Sequence, residues 1–226
     1  MIDKISIKPI ARRNHLIFTL VGIVFLTTSL VLQQFGIKLP AYLLMLVGFV
    51  LFIFGIFKWQ EPKTSLELSS SGIIWFHKFG SVLIEWDNLI DLVPLRINSS
   101  SGYKELHYIG VKVWDRTPII KTVPLRLAKS LYHEYRSLLH VALLEAQYRN
   151  DDTSQLQEDA ESWKTPSGEK IDGLRGIFAA RLNQLKHFLG ADLYIPLTAL
   201  DRNQDDFLDL YKQYKEKVIA LKLEQS

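Results

Sequence analysis

Residues 16–32 read LIFTLVGIVFLTTSLVL and residues 39–57 read LPAYLLMLVGFVLFIFGIF, and neither run contains a charged side chain. A hydrocarbon core of about 30 Å requires about 20 helical residues, because an α-helix rises about 1.5 Å per residue. A helix that is apolar on every face is typical of a membrane span rather than of a small soluble domain. The two runs predict transmembrane helices over about residues 14–34 and 39–57, joined by a short linker into an antiparallel hairpin.

Basic side chains are concentrated on one side of this predicted hairpin. The linker carries a single one, Lys38, whereas the outer flanks carry several. By the positive-inside rule, both flanks and therefore both termini are expected to face the cytoplasm. Trp59 is the predicted interfacial aromatic anchor. The predicted membrane-interface residues are Lys4, Lys8, Arg12, Arg13, Lys58, Trp59 and Lys63.

A cleaved signal peptide is the alternative interpretation of the first run. The hairpin is the preferred interpretation because no small-x-small cleavage site follows and a second apolar run does. Gly22, Gly48 and Gly55 are predicted to let the two helices pack closely, and a homo-oligomeric contact is the alternative use of these small residues. A pore is disfavoured, because no ionisable side chain lies deep in either run.

After residue 63 the hydrophobic pattern changes to a period of two. Five short alternating segments are separated by turn residues, at 64–69, 73–79, 82–86, 90–97 and 106–114. This pattern predicts an antiparallel β-meander. Residues 119–123 are a sixth candidate strand of lower rank, because Pro118 and Pro124 bracket them.

The second half of the chain shows helical periodicity. Apolar residues recur every three or four positions over 126–149 and 174–189, and an acidic, polar stretch predicts a linker or frayed helix end between them. Gly190 is predicted to end the second of these helices, residues 192–197 to form a short strand, and Asp201 to cap a final helix.

The stretch from Ser65 to Leu89 resembles the start of bacterial pleckstrin-homology-like (PH-like) domains. In those domains a hydrophobic-x-Trp-x-x-hydrophobic stretch follows the third strand, as residues 84–89 (IEWDNL) do here. Residues 190–196 and the helix after them are similar to the end of such domains. The loop between the first two predicted strands carries Ser69–Gly72 instead of the basic phosphoinositide-binding cluster of eukaryotic members.

Many members of that group have a two-span hairpin just before the domain. The chain thus resembles an uncharacterised bacterial family of two-span membrane proteins whose domain has no known function. The resemblance implies a basic N-terminus and two transmembrane helices over residues 1–60. It implies an α+β PH-like domain over residues 64–226, an antiparallel meander or sandwich with a helical insertion at about 126–189 and a C-terminal helix. It places this multi-pass protein in the bacterial inner membrane.

The sequence lacks the residues that several kinds of catalytic and metal-binding site require. The absence of cysteine excludes a disulfide framework, a thiol nucleophile and Cys-based zinc or iron–sulfur sites. His133-Glu134 begins like a helical zinc motif, but Ser137 occupies the second histidine position. Gly168 and Gly173 have phosphate-loop spacing, but Leu174-Arg175 follows instead of Lys and Ser/Thr. We therefore predict no catalytic residue, no cofactor and no metal site.

Charge is distributed unevenly along the chain. The net charge of +3 combines +6 in residues 1–126 (14 basic, 8 acidic) with −3 in residues 127–226 (13 basic, 16 acidic). Anionic lipid headgroups attract juxtamembrane Lys and Arg, so the bilayer is the partner that the basic half predicts. A nucleic-acid partner is not predicted, because no dense basic stripe with interleaved aromatics occurs away from the membrane flank.

Three functional hypotheses follow from these patterns. The first is a non-enzymatic, membrane-anchored module that binds another protein, or a second copy of itself, as a scaffold. The second is a lipid- or small-ligand-binding protein in which Lys63, Lys78 and Arg96 meet headgroups. The third, ranked lowest, is an enzyme acting on lipids, which requires a pocket of polar residues with perturbed pKa values.

Overall fold

The computed structural model describes residues 3–10, 13–99, 102–149 and 160–224. Two apolar helices are followed by a mixed helix and sheet domain with antiparallel sheets, as the sequence predicts. Helix α1 spans His15–Gln34 and helix α2 spans Lys38–Trp59, so both are long and apolar enough to cross a membrane. Only 11% and 17% of their most apolar windows are buried, which distinguishes them from core helices of a soluble domain.

Close backbone approach holds α1 and α2 together. A Cβ atom added to Gly22 would lie 2.6 Å from the Phe52 nitrogen, and one added to Gly48 would lie 2.9 Å from the Phe25 Cβ. A Cβ on Gly55 would lie 2.7 Å from the Thr19 nitrogen. The three glycines therefore lie at the contact between the two helices, where a larger side chain would force the helices apart.

The first sheet has four strands in the order β1–β2–β3–β4, and every pairing in it is antiparallel. Strand β1 is Ile5–Ile7, β2 is Leu66–Leu68, β3 is Gly72–His77 and β4 is Gly80–Glu85. Because β1 precedes α1 and β2 follows α2, the helical hairpin is inserted between two neighbouring strands of one sheet. Residues 5–7, which precede the hairpin, therefore pair with a strand of the part of the chain that follows it.

The second sheet has three antiparallel strands in the order β5–β6–β9. Strand β5 is Leu89–Ser99, β6 is Gly102–Val113 and β9 is Leu193–Pro196. The five predicted strands are all present, but they do not form one meander. The chain leaves the first sheet at Trp86 and enters the second at Leu89, through backbone bonds that close a turn over Asp87 and Asn88.

A long insertion separates β6 from β9. It contains α3 (Thr117–Thr122), α4 (Leu125–Glu134), α5 (Arg136–Arg149), the β7–β8 hairpin (Ser162–Lys164 with Lys170–Asp172) and α6 (Gly173–Leu189). Helix α6 ends as predicted at Gly190, whose φ of 71° is a left-handed value that glycine adopts without strain. A 3₁₀ turn, Leu197–Ala199, and helix α7, Gln204–Glu224, complete the chain.

Several local predictions in this part of the chain were wrong. Residues 119–123 lie largely within helix α3, because Pro118 occupies its first turn, where a missing N–H costs nothing. The predicted helix over 126–149 is two helices, since Tyr135 ends α4 with φ −76° and ψ 0°. The cap of the last helix is Asn203, whose Oδ1 accepts a 2.8 Å hydrogen bond from the Asp206 N–H, rather than Asp201.

Both sheets share one hydrophobic core with helices α3 to α7. Trp86 lies where the chain changes sheets, and its indole N–H donates a 2.7 Å hydrogen bond to the Ser69 carbonyl oxygen. Its ring lies 6.3 Å from that of Tyr211 and 5.9 Å from that of Tyr214. The tryptophan of the IEWDNL stretch therefore anchors the C-terminal helix to the corner between the sheets.

Candidate functional site

The chain segments that enter and leave the hairpin meet beside the first sheet. Ile7 pairs with Leu66, and the Ser65 N–H donates a 2.8 Å hydrogen bond to the Ile7 carbonyl oxygen. The buried Ser65 hydroxyl donates to the same oxygen at 3.0 Å and also to the Ala199 carbonyl oxygen. The Ile10 N–H donates to the Leu200 carbonyl oxygen at 3.0 Å. Three distant parts of the sequence are thereby fixed around the base of the helices.

A cleft of about 440 Å³ opens at this base. We call it the basal cleft, and its lining residues are Lys8, Pro9, Ile10, Arg13, His15, Lys63 and Asp201. The lining combines apolar atoms with three residues that are cationic at neutral pH. Clefts of this kind bind ligands that carry both an apolar part and an anionic group.

The acidic residue of the basal cleft has a partner of its own. The two carboxylate oxygens of Asp201 lie 2.7 and 3.2 Å from the Nε and Nη2 atoms of Arg202. The hydrogen bonds that Arg202 donates to the Asp201 carboxylate raise the pKa of the Arg202 guanidinium further above its usual range. With Asp201 paired in this way, Lys8, Arg13 and Lys63 give the cleft an excess of positive charge.

The predicted membrane-interface residues do not all lie in the basal cleft. Lys4 forms a 3.0 Å ion pair with Glu67 across the β1–β2 pair. The Lys58 ammonium donates a 3.1 Å hydrogen bond to the Arg13 carbonyl oxygen, and it lies over the rings of Phe18 and Phe54 at 5.3 and 5.5 Å. Trp59 is 63% exposed at the end of α2, and Arg12 lies outside the described residues.

The three cations of the lipid-binding hypothesis are not brought together. Lys63 lines the basal cleft, whereas Lys78 lines a different cleft and Arg96 forms a 2.7 Å ion pair with Glu105 on the second sheet. The sequence alone does not show which strands are neighbours, so it could not separate these three cations. Sequence reasoning missed that Lys8 and Arg13 join Lys63, and the alternation of Ile5-Ser6-Ile7 was the only local signal of the strand that brings them there.

A second cleft, of about 190 Å³, lies beside the β3–β4 turn and contains an imidazole. The His77 Nε2 atom lies 3.3 Å from the Glu134 carboxylate, and its Nδ1 accepts a 3.3 Å hydrogen bond from the Phe79 N–H. Burial raises the pKa of Glu134, but hydrogen bonds from His77 and Ser130 outweigh it and the pKa is lowered overall. Both ring nitrogens of His77 are engaged, so this geometry presents no open nitrogen to a substrate.

Metal chemistry has no visible basis in the described part of the chain. Over residues 3–10, 13–99, 102–149 and 160–224, no group of three or more His, Asp or Glu side chains is placed to hold an ion. The basal cleft is the candidate functional site, because it combines clustered cations with a position at the base of both apolar helices.

Comparisons with known proteins give a family and no function. No curated protein and no solved structure matches the chain. One family model matches residues 66–217, which begin at β2 and end within α7, and so exclude the hairpin and β1. The chain belongs to the family described as "Protein of unknown function (DUF2982)".

Proposed function

We propose that this protein is a membrane-anchored, non-enzymatic module whose basal cleft binds the headgroup of an anionic phospholipid. The observation that carries the proposal is the convergence of Lys8, Arg13 and Lys63 at the base of two apolar helices. In a bilayer, the ends of such helices lie at the level of the lipid phosphates, where each nearby Lys or Arg is attracted by about 1 kcal/mol. The apolar part of the cleft lining suits the glycerol and first acyl carbons of the same lipid.

The proposal includes the orientation and the fold that the sequence predicts. The pairing of β1 with β2 supports a hairpin whose two ends lie on one side of the membrane, and the basic flanks favour the cytoplasmic face of a bacterial inner membrane. Two antiparallel sheets closed by a C-terminal helix support a PH-like domain. With β1 as the first strand of such a domain, the hairpin is the connection between the first two strands. The basic residues that flank the helices, Lys8, Arg13 and Lys63, then lie where eukaryotic members carry their phosphoinositide-binding cluster.

The test is lipid retention by the full chain in detergent micelles, measured by native mass spectrometry with phosphatidylglycerol as the probe. The variant carries Lys8→Gln, Arg13→Gln and Lys63→Gln. We expect the affinity for phosphatidylglycerol to fall about fivefold for each cation removed, from the attraction of about 1 kcal/mol per basic residue. Glycerol phosphate added in solution should not compete, because it lacks the acyl chains that the apolar lining contacts.

The matched control removes the same charge from exposed positions of the domain, with Lys164→Gln, Lys212→Gln and Lys217→Gln. This control should retain phosphatidylglycerol like the unmodified chain. Equal losses in the two triple variants would mean that net charge, and not the basal cleft, holds the lipid. That result would contradict the proposal.

A protein-interaction role is the second candidate. Trp114 is 75% exposed and Leu223 is 73% exposed. Both lie near the Asp87-Asn88 turn, which follows the end of β4 opposite to the β3–β4 turn. The Trp114 N–H donates a 2.9 Å hydrogen bond to the Asn88 carbonyl oxygen, and Lys222 lies 2.6 Å from the Asp87 carboxylate. Exposed large apolar side chains at this distal end suit a protein partner, which photo-crosslinking in cells from position 114 tests.

A further inference from the structure

The turn between β3 and β4 lies at the end of the first sheet from which the hairpin departs. Ile7, Leu66, Trp75 and Val82 stand side by side across the four strands. Strand β1 runs toward α1 and β2 runs away from α2. Because neighbouring strands are antiparallel, the carboxyl end of β3 and the amino end of β4 must lie at this same end.

The residues next to this turn contact the chain that has just left α2. The lining of the cleft of about 190 Å³ includes Glu61 and Pro62, which closely follow α2, together with His77 and Lys78. The Phe76 N–H donates a 2.7 Å hydrogen bond to the Ser65 carbonyl oxygen. The β3–β4 turn is therefore in the layer of the domain nearest to the helix ends.

Two large apolar side chains are exposed in this layer. Phe79 in the turn is 44% exposed, and Leu125, the first residue of α4, is 52% exposed. Gly80 holds the two segments together, since a Cβ atom added there would lie 2.7 Å from the Pro124 ring. Leu125 is therefore presented directly beside the turn.

Basic side chains surround these two apolar residues. The Lys78 ammonium lies 5.3 Å from the centre of the Phe79 ring, and Arg126 and Lys129 line a cleft of about 290 Å³ together with Phe79. The nearby Glu134 carboxylate is engaged by His77 and Ser130. We call Lys78, Phe79, Leu125, Arg126 and Lys129 the turn patch.

We propose that the turn patch inserts into the headgroup layer of the membrane and forms a second contact between the domain and the bilayer. Exposed aromatic and aliphatic tips flanked by Lys and Arg match the interface of an anionic bilayer, which takes up the apolar tips and attracts the cations. The inference rests on the proposed membrane anchorage by α1 and α2. It adds that the domain is held in one orientation against the surface, rather than swinging on the hairpin.

The chain contains no native cysteine, so single cysteines carrying a nitroxide label report depth without interference. The full chain is reconstituted into vesicles of phosphatidylglycerol and phosphatidylcholine, with one label per variant at Phe79→Cys, Leu46→Cys or Glu85→Cys. Position 46 lies in α2, and position 85 is exposed at the opposite end of β4 from the turn. Collision rates with oxygen, which concentrates in the bilayer, and with a water-soluble nickel complex are then compared.

We expect position 46 to report the bilayer interior, position 85 water and position 79 an intermediate depth. Adding Arg126→Gln and Lys129→Gln should shift the label at position 79 toward the aqueous values, with no change at position 46. Aqueous values at position 79 in the unmodified background, with position 46 still in the bilayer, would overturn the second contact alone. Aqueous values at position 46 would overturn the membrane anchorage as well, so the two failures are distinguishable.

Discussion

Replacing Asp192 with alanine is expected to lower the free energy of unfolding by about 3–5 kcal/mol, the cost of leaving a buried charge without its partner. Asp192 is only 2% exposed, and one of its oxygens lies 3.2 Å from Arg116 Nε and 2.7 Å from Lys186 Nζ. The other oxygen accepts a 3.1 Å hydrogen bond from the Val113 N–H. One carboxylate thus joins the end of β6, helix α6 and the start of β9.

The Arg116 guanidinium explains the size of this effect. Its side chain is 11% exposed, and burial lowers its pKa while Asp192 opposes that shift. It also lies over the Trp163 ring at 5.5 Å and donates a 2.8 Å hydrogen bond to Asn183. Without Asp192, the Arg116 guanidinium either remains charged in a largely desolvated site or reaches water, which requires the insertion to separate from the second sheet.

Thermal unfolding of the full chain in detergent micelles, followed by tryptophan fluorescence, measures the loss. For a domain of this size, the expected change corresponds to a Tm lowered by roughly 6–20 °C. Asp87→Ala is the matched control, because Asp87 forms a 2.6 Å ion pair with Lys222 while 83% exposed. Such surface pairs contribute about 0–1 kcal/mol. A Tm for Asp192→Ala equal to that of Asp87→Ala would contradict the assigned role.

Replacing Ile7 with aspartate is expected to detach β1 from the sheet or to unfold the domain. Ile7 is fully buried in the core cluster, and an isolated carboxylate there costs several kcal/mol. Since the Ser65 N–H donates to the Ile7 carbonyl oxygen, loss of β1 also removes the partner of that amide. The expected results are a lower Tm and faster hydrogen exchange at the Ser65 amide.

Ser6→Asp is the matched control on the same strand. Ser6 is exposed, so its replacement should change neither the Tm nor the exchange of the Ser65 amide by much. The contrast depends on residues 5–7 forming a strand of the domain. If this segment were only a basic flank in contact with lipid headgroups, the two substitutions would behave alike.

The elements with strong local patterns were predictable from the sequence. Apolar runs fixed α1 and α2 to within a few residues of their ends, and period-two alternation located the five strands from β2 to β6. Gly190 ends α6 as the sequence predicts, because this helix end depends on one residue that adopts a left-handed φ. In each case the signal lies within a few residues of the feature.

The missed features depend on contacts between distant residues. Strand β1 has three residues, and its partner Leu66–Leu68 follows only after both apolar helices, so nothing local identifies the pairing. The break between α4 and α5 is at Tyr135, which is buried. Its hydroxyl donates a 2.6 Å hydrogen bond to the carbonyl oxygen of Tyr194, a residue far away in the sequence. The basal cleft was missed for the same reason, since it requires β1 to bring Lys8 and Arg13 to Lys63.

We propose that α1 and α2, which connect two neighbouring strands, form a membrane hairpin with both of its ends on the cytoplasmic side. Single cysteines at Lys4, Lys38 and Glu216, in a chain that has none of its own, allow a direct test. Right-side-out and inside-out membrane vesicles from a bacterial expression host are treated with a membrane-impermeant maleimide. We expect labelling at position 38 only in right-side-out vesicles, and labelling at positions 4 and 216 only in inside-out vesicles. Labelling of positions 4 and 216 from opposite sides, or of position 38 from the same side as both, would contradict it.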